Sequence, residues 1–298
     1  MAALITTDFS FPAEISTGIF KKAQSASVLA RLANAEPQKF GKQVKWVLTA
    51  APKAELVGES AQKAPTPTAY AQKTISPLKA QVTMRFSNEV QWADEDTQIG
   101  VLSDMAENAS IALGRALDLA AIHKMNPLTG AVSDLIAEGI TDTTQSVTIT
   151  DGKEDQSVEA AAGAVIAAGY TPSGIALDPK LSFALATERD SQGRRLYPEL
   201  GYGMNATNFE GMNAAVGDTV SASAEATKAT NILGIVGQFD AFRWGVQRDI
   251  AAHMIEYGDP DGLGDLQRMN QIAIRAEIVY GIGIMDLNAF VKIVKASA

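Results

Sequence analysis

The sequence predicts an α+β protein in which one very long helix braces several extended strands. Three observations predict this class. Apolar residues recur at three- and four-residue steps near residues 95–125, they alternate along residues 73–90, and helix and strand patterns alternate after residue 150. The chain has 298 residues, of which 46% are hydrophobic. This length is enough for one large domain or two small ones with a sizeable core.

Residues 1–43 are predicted to form an arm with one short helix near Ser16–Leu32. Its apolar residues are scattered, as in Phe9, Phe11, Ile15, Ile19 and Phe20. Such a segment cannot bury enough surface against itself to fold alone. We therefore expect it to pack on the body of the molecule or on another copy of the chain.

Residues 44–50, with the sequence VKWVLTA, are predicted to form a strand. Residues 51–70 contain Pro52, Pro65 and Pro67 and are predicted to be a long excursion, either a two-stranded ribbon or a loop. A connection of this length inside a compact domain is usually functional. The chain then returns as a strand over residues 73–90. One face of that strand carries Leu78, Ala80, Val82, Met84 and Phe86.

The strongest helix signal covers residues 95–125. Its apolar face is formed by Ile99, Leu102, Ala106, Ala109, Leu113, Leu117 and Ala120. The acidic residues 94–96 suit the positive N-terminal end of the helix dipole, and Asn126-Pro127 ends the pattern. About 30 residues span about 45 Å, which is more than twice the usual helix length. This helix is either an ordinary long core helix or the strut of an extended, flat molecule.

Shorter elements are predicted in the second half. They are helices at Gln156–Ala168 and Pro179–Arg189, the second capped by Asp178, and strands at Ser173–Leu177, Ile232–Gln238, around Phe242–Val246 and along Met269–Phe290. A tight turn is predicted at 190–193, and residues 200–217 are rich in glycine.

Composition and charge exclude several classes of protein. The chain has no cysteine, so disulfides, thiolate catalysis and cysteine-bound zinc are excluded. The N-terminus lacks the pattern of a signal peptide, and no uncharged apolar run is long enough to span a bilayer. We therefore expect a soluble chain made in the cytoplasm. Residues 1–85 carry a net charge of +6 and residues 86–298 a net charge of −15. Such an uneven distribution of charge is typical of contact between copies or of two solvated faces.

The motifs that resemble chemical sites each have a simpler explanation. The glycines at 201, 203, 211 and 217 lack the strand–loop–helix context of a phosphate loop. Residues 259–265, DPDGLGD, fail the calcium-loop pattern because Asn270 stands where glutamate is needed, so a polar turn is predicted, with a weak metal site as the alternative. His123 and His253 share no metal or catalytic motif. We predict no catalytic residue, no cofactor and no metal site.

Six segments carry a family pattern when they are taken in order. They are WVLTAAPKAELVGES, KTISPLKAQVTMRFSNEV, the helix at 95–125, ALDPKLSFALATERDSQGRRLYP at 176–198, the run from GMNAAVGDTVSA to ILGIVGQFDAFRWGVQRDI, and MNQIAIRAEIVYGIGIMDLNAFVKI. In this order they resemble the Hong Kong 97-type major capsid protein of tailed bacteriophages. The resemblance covers nearly the whole chain. One departure is Val90, where the family pattern ends in a leucine-like residue.

The resemblance implies an α+β Hong Kong 97-like capsid fold and a non-enzymatic role. It implies an arm at 1–43, an extended loop with flanking strands at 44–90, a peripheral domain with the spine helix at 91–140, an axial domain at 141–255 and return strands at 256–298. Burial of the arm and of the loop would then occur on assembly. The residues expected to contact other subunits are Lys53, Glu55, Glu59, Lys63, Arg194, Arg195 and Tyr197.

The resemblance also implies partners. The chain is expected to assemble with itself into pentamers and hexamers of an icosahedral head, in the host cytoplasm. A separate scaffolding protein, a portal and a decoration protein are the expected further partners, and the shell would enclose double-stranded DNA without specific binding, because the body is acidic. No membrane is involved. Two alternatives stay open, namely an encapsulin-like nanocompartment shell and a soluble α/β enzyme or ligand-binding protein.

Overall fold

The computed structural model describes residues 26–296 apart from positions 51, 61, 64, 67, 93, 94, 151, 204 and 205. The helices in these residues are α1 (Val28–Leu32), α2 (Glu95–His123), α3 (Glu154–Ala167) and α4 (Pro179–Thr187). In the part of the chain that the structure describes, no helix is both long enough and apolar enough to cross a membrane.

The strands form two large sheets and one small hairpin. Their bounds are β1 (Gln43–Ala50), β2 (Ala69–Ser87), β3 (Met125–Asn126), β4 (Ala131–Val132), β5 (Ser146–Ile149), β6 (Gly174–Leu177), β7 (Asn208–Phe209), β8 (Met212–Val216), β9 (Ile232–Gly237), β10 (Phe242–Ile255), β11 (Gln271–Ile284) and β12 (Phe290–Lys295). The four-stranded sheet has the order β1-β2-β11-β10, and the six-stranded sheet has the order β5-β12-β9-β6-β8-β7.

The long helix is present as the apolar spacing predicted, over Glu95–His123, and it lies on the four-stranded sheet. Of its predicted core residues, those buried are Leu102, Ala106, Ala109, Leu113, Leu117 and Ala120. The side chain of Ile99 lies outside the described part of the chain. The alternating face of β2, from Leu78 to Phe86, packs against the same core. The hydroxyl of Tyr280 on β11 donates to the carbonyl oxygen of Leu113 at 3.1 Å, so the helix and the sheet are also joined by a hydrogen bond.

Helices α3 and α4 cover the six-stranded sheet, where Val158, Ala161, Leu181 and Leu185 join a second apolar cluster with strand residues. The predicted cap of α4 is confirmed, since the carboxylate of Asp178 accepts a hydrogen bond from the backbone N–H of Lys180 at 2.8 Å. Pro179 takes the first helical position, where a missing N–H costs nothing.

The predicted strand over Met269–Phe290 is wrong as a single element. β11 ends at Ile284, and a one-turn helix at Leu287–Ala289, capped by Asp286, separates it from β12. β11 belongs to the four-stranded sheet and β12 to the six-stranded sheet. Both strands carry dense apolar residues, so the alternation alone did not reveal the change of sheet. β10 is longer than predicted, since it continues to Ile255, and it lies in the four-stranded sheet.

The inner part of the predicted arm packs on its own subunit. Val28 and Leu29 of α1 are buried in the main core. The indole N–H of Trp244 on β10 donates to the carbonyl oxygen of Ala33 at 2.9 Å. The carbonyl oxygen of Trp244 accepts a hydrogen bond from the backbone N–H of Glu36, also at 2.9 Å. Gly245 permits this approach, because a Cβ there would collide with the carbonyl oxygen of Glu36. The packing of residues 27–36, with Ser27, Val28, Leu29 and Ala33 buried, therefore accompanies folding and does not wait for assembly. Residues 1–25 lie outside the described residues.

Candidate assembly surface

The surface that stands out is a ribbon formed by β1 and the first part of β2. β1 pairs antiparallel with β2 from Gln43 opposite Ile75 to Leu48 opposite Tyr70. At Ser76 the partner of β2 changes, because the rest of the strand pairs with β11. The ribbon, here defined as residues 43–50 and 69–75, is therefore attached to the main sheet along only one of its two strands.

One face of the ribbon is apolar and exposed. Val44, Trp46 and Leu48 alternate along β1 and are 53%, 65% and 44% exposed. Tyr70, directly opposite Leu48, is 59% exposed. Apolar side chains gathered on one exposed face are typical of an interaction surface. β1 is also an edge strand, so its outer backbone groups have no partner strand within the described residues.

The base of the ribbon is anchored to the body. Ile75 is fully buried and lies against Gly283 of β11, where a Cβ would be 2.8 Å from the Ile75 side chain. Lys73 forms an ion pair with Glu138 at 3.0 Å. Gln247 of β10 binds the backbone of Gly41 at both its N–H and its carbonyl group. These contacts fix the ribbon at one end and leave its far end projecting.

The excursion beyond the ribbon carries four of the predicted contact residues. Lys53, Glu55, Glu59 and Lys63 are all exposed. Leu56 is as exposed as in an extended chain. The described residues from 52 to 68 belong to no helix or strand, although the hydroxyl of Thr66 donates to the carbonyl oxygen of Lys53 at 3.3 Å and so joins the two halves of the excursion.

The three predicted contact residues near the turn at 190–193 have different environments. Arg194 is exposed and its guanidinium donates to Asp190 at 2.9 Å. Arg195 instead donates to the carbonyl oxygens of Ala186 and Leu200, and Tyr197 packs its ring 5.0 Å from that of Phe209. The side chains of Arg195 and Tyr197 therefore hold their own subunit together, and Arg194 is the one most available to a neighbour.

Two exposed aromatic residues near this turn were not predicted. Phe183 on α4 and Tyr202 are 56% and 65% exposed, and their rings lie 5.7 Å apart. The guanidinium of Arg195 lies 4.7 Å from the centre of the Tyr202 ring, a cation–π distance. The exposure of Phe183 could have been predicted from the sequence, because Phe183 lies on the opposite face of α4 from the buried Leu181 and Leu185.

The acidic segment at 259–265 holds an arginine. The guanidinium of Arg85 on β2 binds Asp259, Asp261 and the carbonyl oxygen of Gly264. Asp259 also accepts the backbone N–H groups of Gly262 and Gly264 at 2.7 and 3.1 Å. The hydrogen bond from Arg85 lowers the pKa of Asp261 below its ordinary value. The side chain of Arg85 thus stabilises the polar turn by binding three of its residues. The described residues contain no cluster of His, Cys, Asp and Glu that could hold a metal.

Replacing Arg85 with methionine is expected to loosen this turn. Hydrogen exchange at the amides of Gly262 and Gly264 should rise roughly tenfold or more, because hydrogen bonds to charged groups are stronger than neutral ones. Arg268→Met is the matched control, since Arg268 is exposed just beyond the same turn. Equal exchange in the two variants, measured by mass spectrometry, would show that Arg85 does not organise the turn.

The sequence and the fold are both similar to those of known proteins. The model of the phage capsid family matches residues 8–295. A chain from Mycobacterium phage Ogopogo is 51% identical, with a TM-score of 0.82 over 91% of this chain and 92% of that one. A chain from Gordonia phage Cozz is 35% identical, with a TM-score of 0.78 over 91% and 87% of the two chains.

More distant structures share the fold alone. A chain from a structure described as the capsid of a native GTA particle is 14% identical, with a TM-score of 0.61 over 91% of each chain. No curated protein matches the sequence.

Proposed function

This chain belongs to the phage capsid family, and we propose on that premise that its copies join into a closed shell through the exposed face of the β1–β2 ribbon. The chain is a head shell protein of the virion capsid with an α+β, Hong Kong 97-like fold, and its role is structural. How the copies contact one another is the subject of the proposal.

The observation that carries the proposal is the projecting ribbon with Val44, Trp46 and Leu48 on one exposed face. A two-stranded ribbon is only marginally stable by itself, so a structure that projects one with an apolar face favours a partner that covers it. The partner is a second copy, because a shell protein must meet its own copies. The face of the ribbon and the surface that covers it on a neighbour are different, so the contact is heterologous and can close rings.

Charge supports the same arrangement. Residues 1–85 are net basic and the rest of the chain is acidic. Lys53 and Lys63 at the excursion would meet acidic side chains of the neighbouring body, and Glu55 and Glu59 would select the register. Arg194 would contact a neighbour around a five-fold or six-fold axis, with Arg195 and Tyr197 fixing the turn behind it. The expected arm, loop, peripheral and axial regions remain our proposed division of the subunit.

The proposed assembly consists of pentamers and hexamers in an icosahedral head that forms in the host cytoplasm. A scaffolding protein, a portal and a decoration protein are the proposed partners. The shell would confine double-stranded DNA rather than bind it specifically, because the acidic body does not favour phosphate contacts.

Expression of the full chain, alone and with its scaffolding protein, tests the proposal. Negative-stain electron microscopy and size-exclusion chromatography are expected to show closed shells. Discrete small oligomers with a catalytic turnover would instead support a soluble enzyme. Shells that retain one enzyme as protein cargo would favour a nanocompartment.

A further inference from the structure

We propose that a polar junction on helix α2, with the buried Asp118 at its centre, sets the angle between the two sheets of the subunit and thereby the curvature of the shell. The junction consists of Arg115, Asp118 and His123 on α2, together with residues 27–29 and the segment 218–225. The inference rests on the proposed function, because curvature matters only if copies close into a shell.

Asp118 is the centre of the junction. Its carboxylate is fully buried and accepts four hydrogen bonds. Two come from the backbone N–H groups of Val28 and Leu29, at 2.8 and 3.1 Å, and two come from the hydroxyls of Ser27 and Thr219. The first three donors open helix α1, and the fourth belongs to the turn after β8. One carboxylate therefore fixes the positions of three separate parts of the chain.

Arg115 and His123 extend the junction along the helix. The guanidinium of Arg115 binds both carboxylate oxygens of Asp218, at 2.7 and 3.1 Å, and also binds Glu225. The imidazole Nε2 of His123 lies 3.2 and 3.0 Å from the carbonyl oxygens of Thr219 and Val220 and donates its proton to them. Burial lowers the pKa of His123, which keeps the ring neutral. Three side chains of α2 thus form hydrogen bonds to the same short segment, residues 218–225.

The parts that meet here belong to different halves of the subunit. Helix α2 lies on the four-stranded sheet, whereas the segment 218–225 leaves β8 of the six-stranded sheet. Helix α1 packs on β6 and β8 of the six-stranded sheet, and the residues that follow it run along β10 of the other sheet. The junction therefore joins elements of both halves and fixes the orientation of one half relative to the other.

The chemistry of the junction suits this role. The two halves also share an apolar core, but apolar contacts are not directional and tolerate repacking. Hydrogen bonds to a buried carboxylate are directional, and an unpaired donor or acceptor there is costly. Small rotations between the halves are thus opposed by the junction. In the proposed assembly the ribbon belongs to one half and Arg194 to the other, so copies would contact one another through both halves. The angle between the halves would then set the angle between neighbours, and hence the radius at which the shell closes.

Thr219 provides the sharpest test. Thr219→Val removes the hydroxyl that binds Asp118 and keeps the shape, whereas Thr219→Ser keeps the hydroxyl. Asp118→Asn is a stronger variant, and Thr219→Val decides the matter if Asp118→Asn does not fold. Leu117→Ala is the control for stability, since Leu117 is buried beside Asp118 and binds none of the junction groups. Each full chain is assembled under identical conditions, and particle diameters are measured by cryo-electron microscopy.

We expect Thr219→Val and Asp118→Asn to give shells with a shifted or broadened distribution of diameters, or folded subunits that fail to close. Thr219→Ser and Leu117→Ala should give the wild-type diameter, even if Leu117→Ala melts at a lower temperature. Wild-type diameters from Thr219→Val would overturn the inference and leave the junction a purely structural feature. Absence of any shell from the wild-type chain would instead count against the proposed function.

Discussion

Replacing Trp46 and Leu48 together with threonine is expected to abolish shell formation while the subunit stays folded. Both side chains lie on the exposed face of the ribbon, so their removal costs the isolated subunit little. Threonine keeps the preference for strand structure. In an interface, a large aromatic anchor commonly contributes about 2 kcal/mol or more, and every copy in a shell would lose that contact at once.

Size-exclusion chromatography with negative-stain microscopy measures the loss, and circular dichroism checks the fold. Lys45→Thr is the matched control, because Lys45 lies on the opposite face of the same strand and its ion pair with Glu36 is partly exposed and therefore weak. The control should assemble as the wild type does. Normal shells from the Trp46/Leu48 variant would show that the ribbon face is not a contact between copies.

Replacing Trp244 with alanine is expected to destabilise the subunit by about 3–5 kcal/mol, the usual cost of truncating a buried aromatic side chain. Trp244 is 1% exposed and its indole N–H binds the carbonyl oxygen of Ala33. The substitution removes the packing and the hydrogen bond that hold residues 33–36 on β10, so the inner arm should detach as well.

Urea unfolding of unassembled subunits, followed by circular dichroism, measures this difference in the free energy of unfolding. Trp46→Ala provides a tryptophan control on the exposed ribbon, and its cost should be below about 1 kcal/mol. Similar losses for the two tryptophan variants would contradict the packing of the inner arm on its own subunit.

The elements with strong local signals could be predicted from the sequence. The long helix has a regular apolar face, and Asp178 followed by Pro179 marks the start of α4 with two independent features. The alternation of β2 also predicted which side chains face the core. In each case the signal resides in neighbouring residues and needs no knowledge of the rest of the fold.

The features that depend on distant residues could not be predicted. Asp118 looks like an ordinary charge on a helix, and its donors lie about 90 and 100 residues away. The acidic turn at 259–265 suggested a metal only because the sequence does not show that Arg85 reaches it. The alternation of Val44, Trp46 and Leu48 predicted a strand, but it could not show that this apolar face would be turned outwards.

A cryo-electron microscopy reconstruction of the assembled shell, at a resolution that shows side chains, tests the central claim most directly. We expect Val44, Trp46 and Leu48 to be covered by a neighbouring copy while residues 28–36 stay packed on their own subunit. A closed shell in which that ribbon face remains open to solvent would contradict this account of how the copies join.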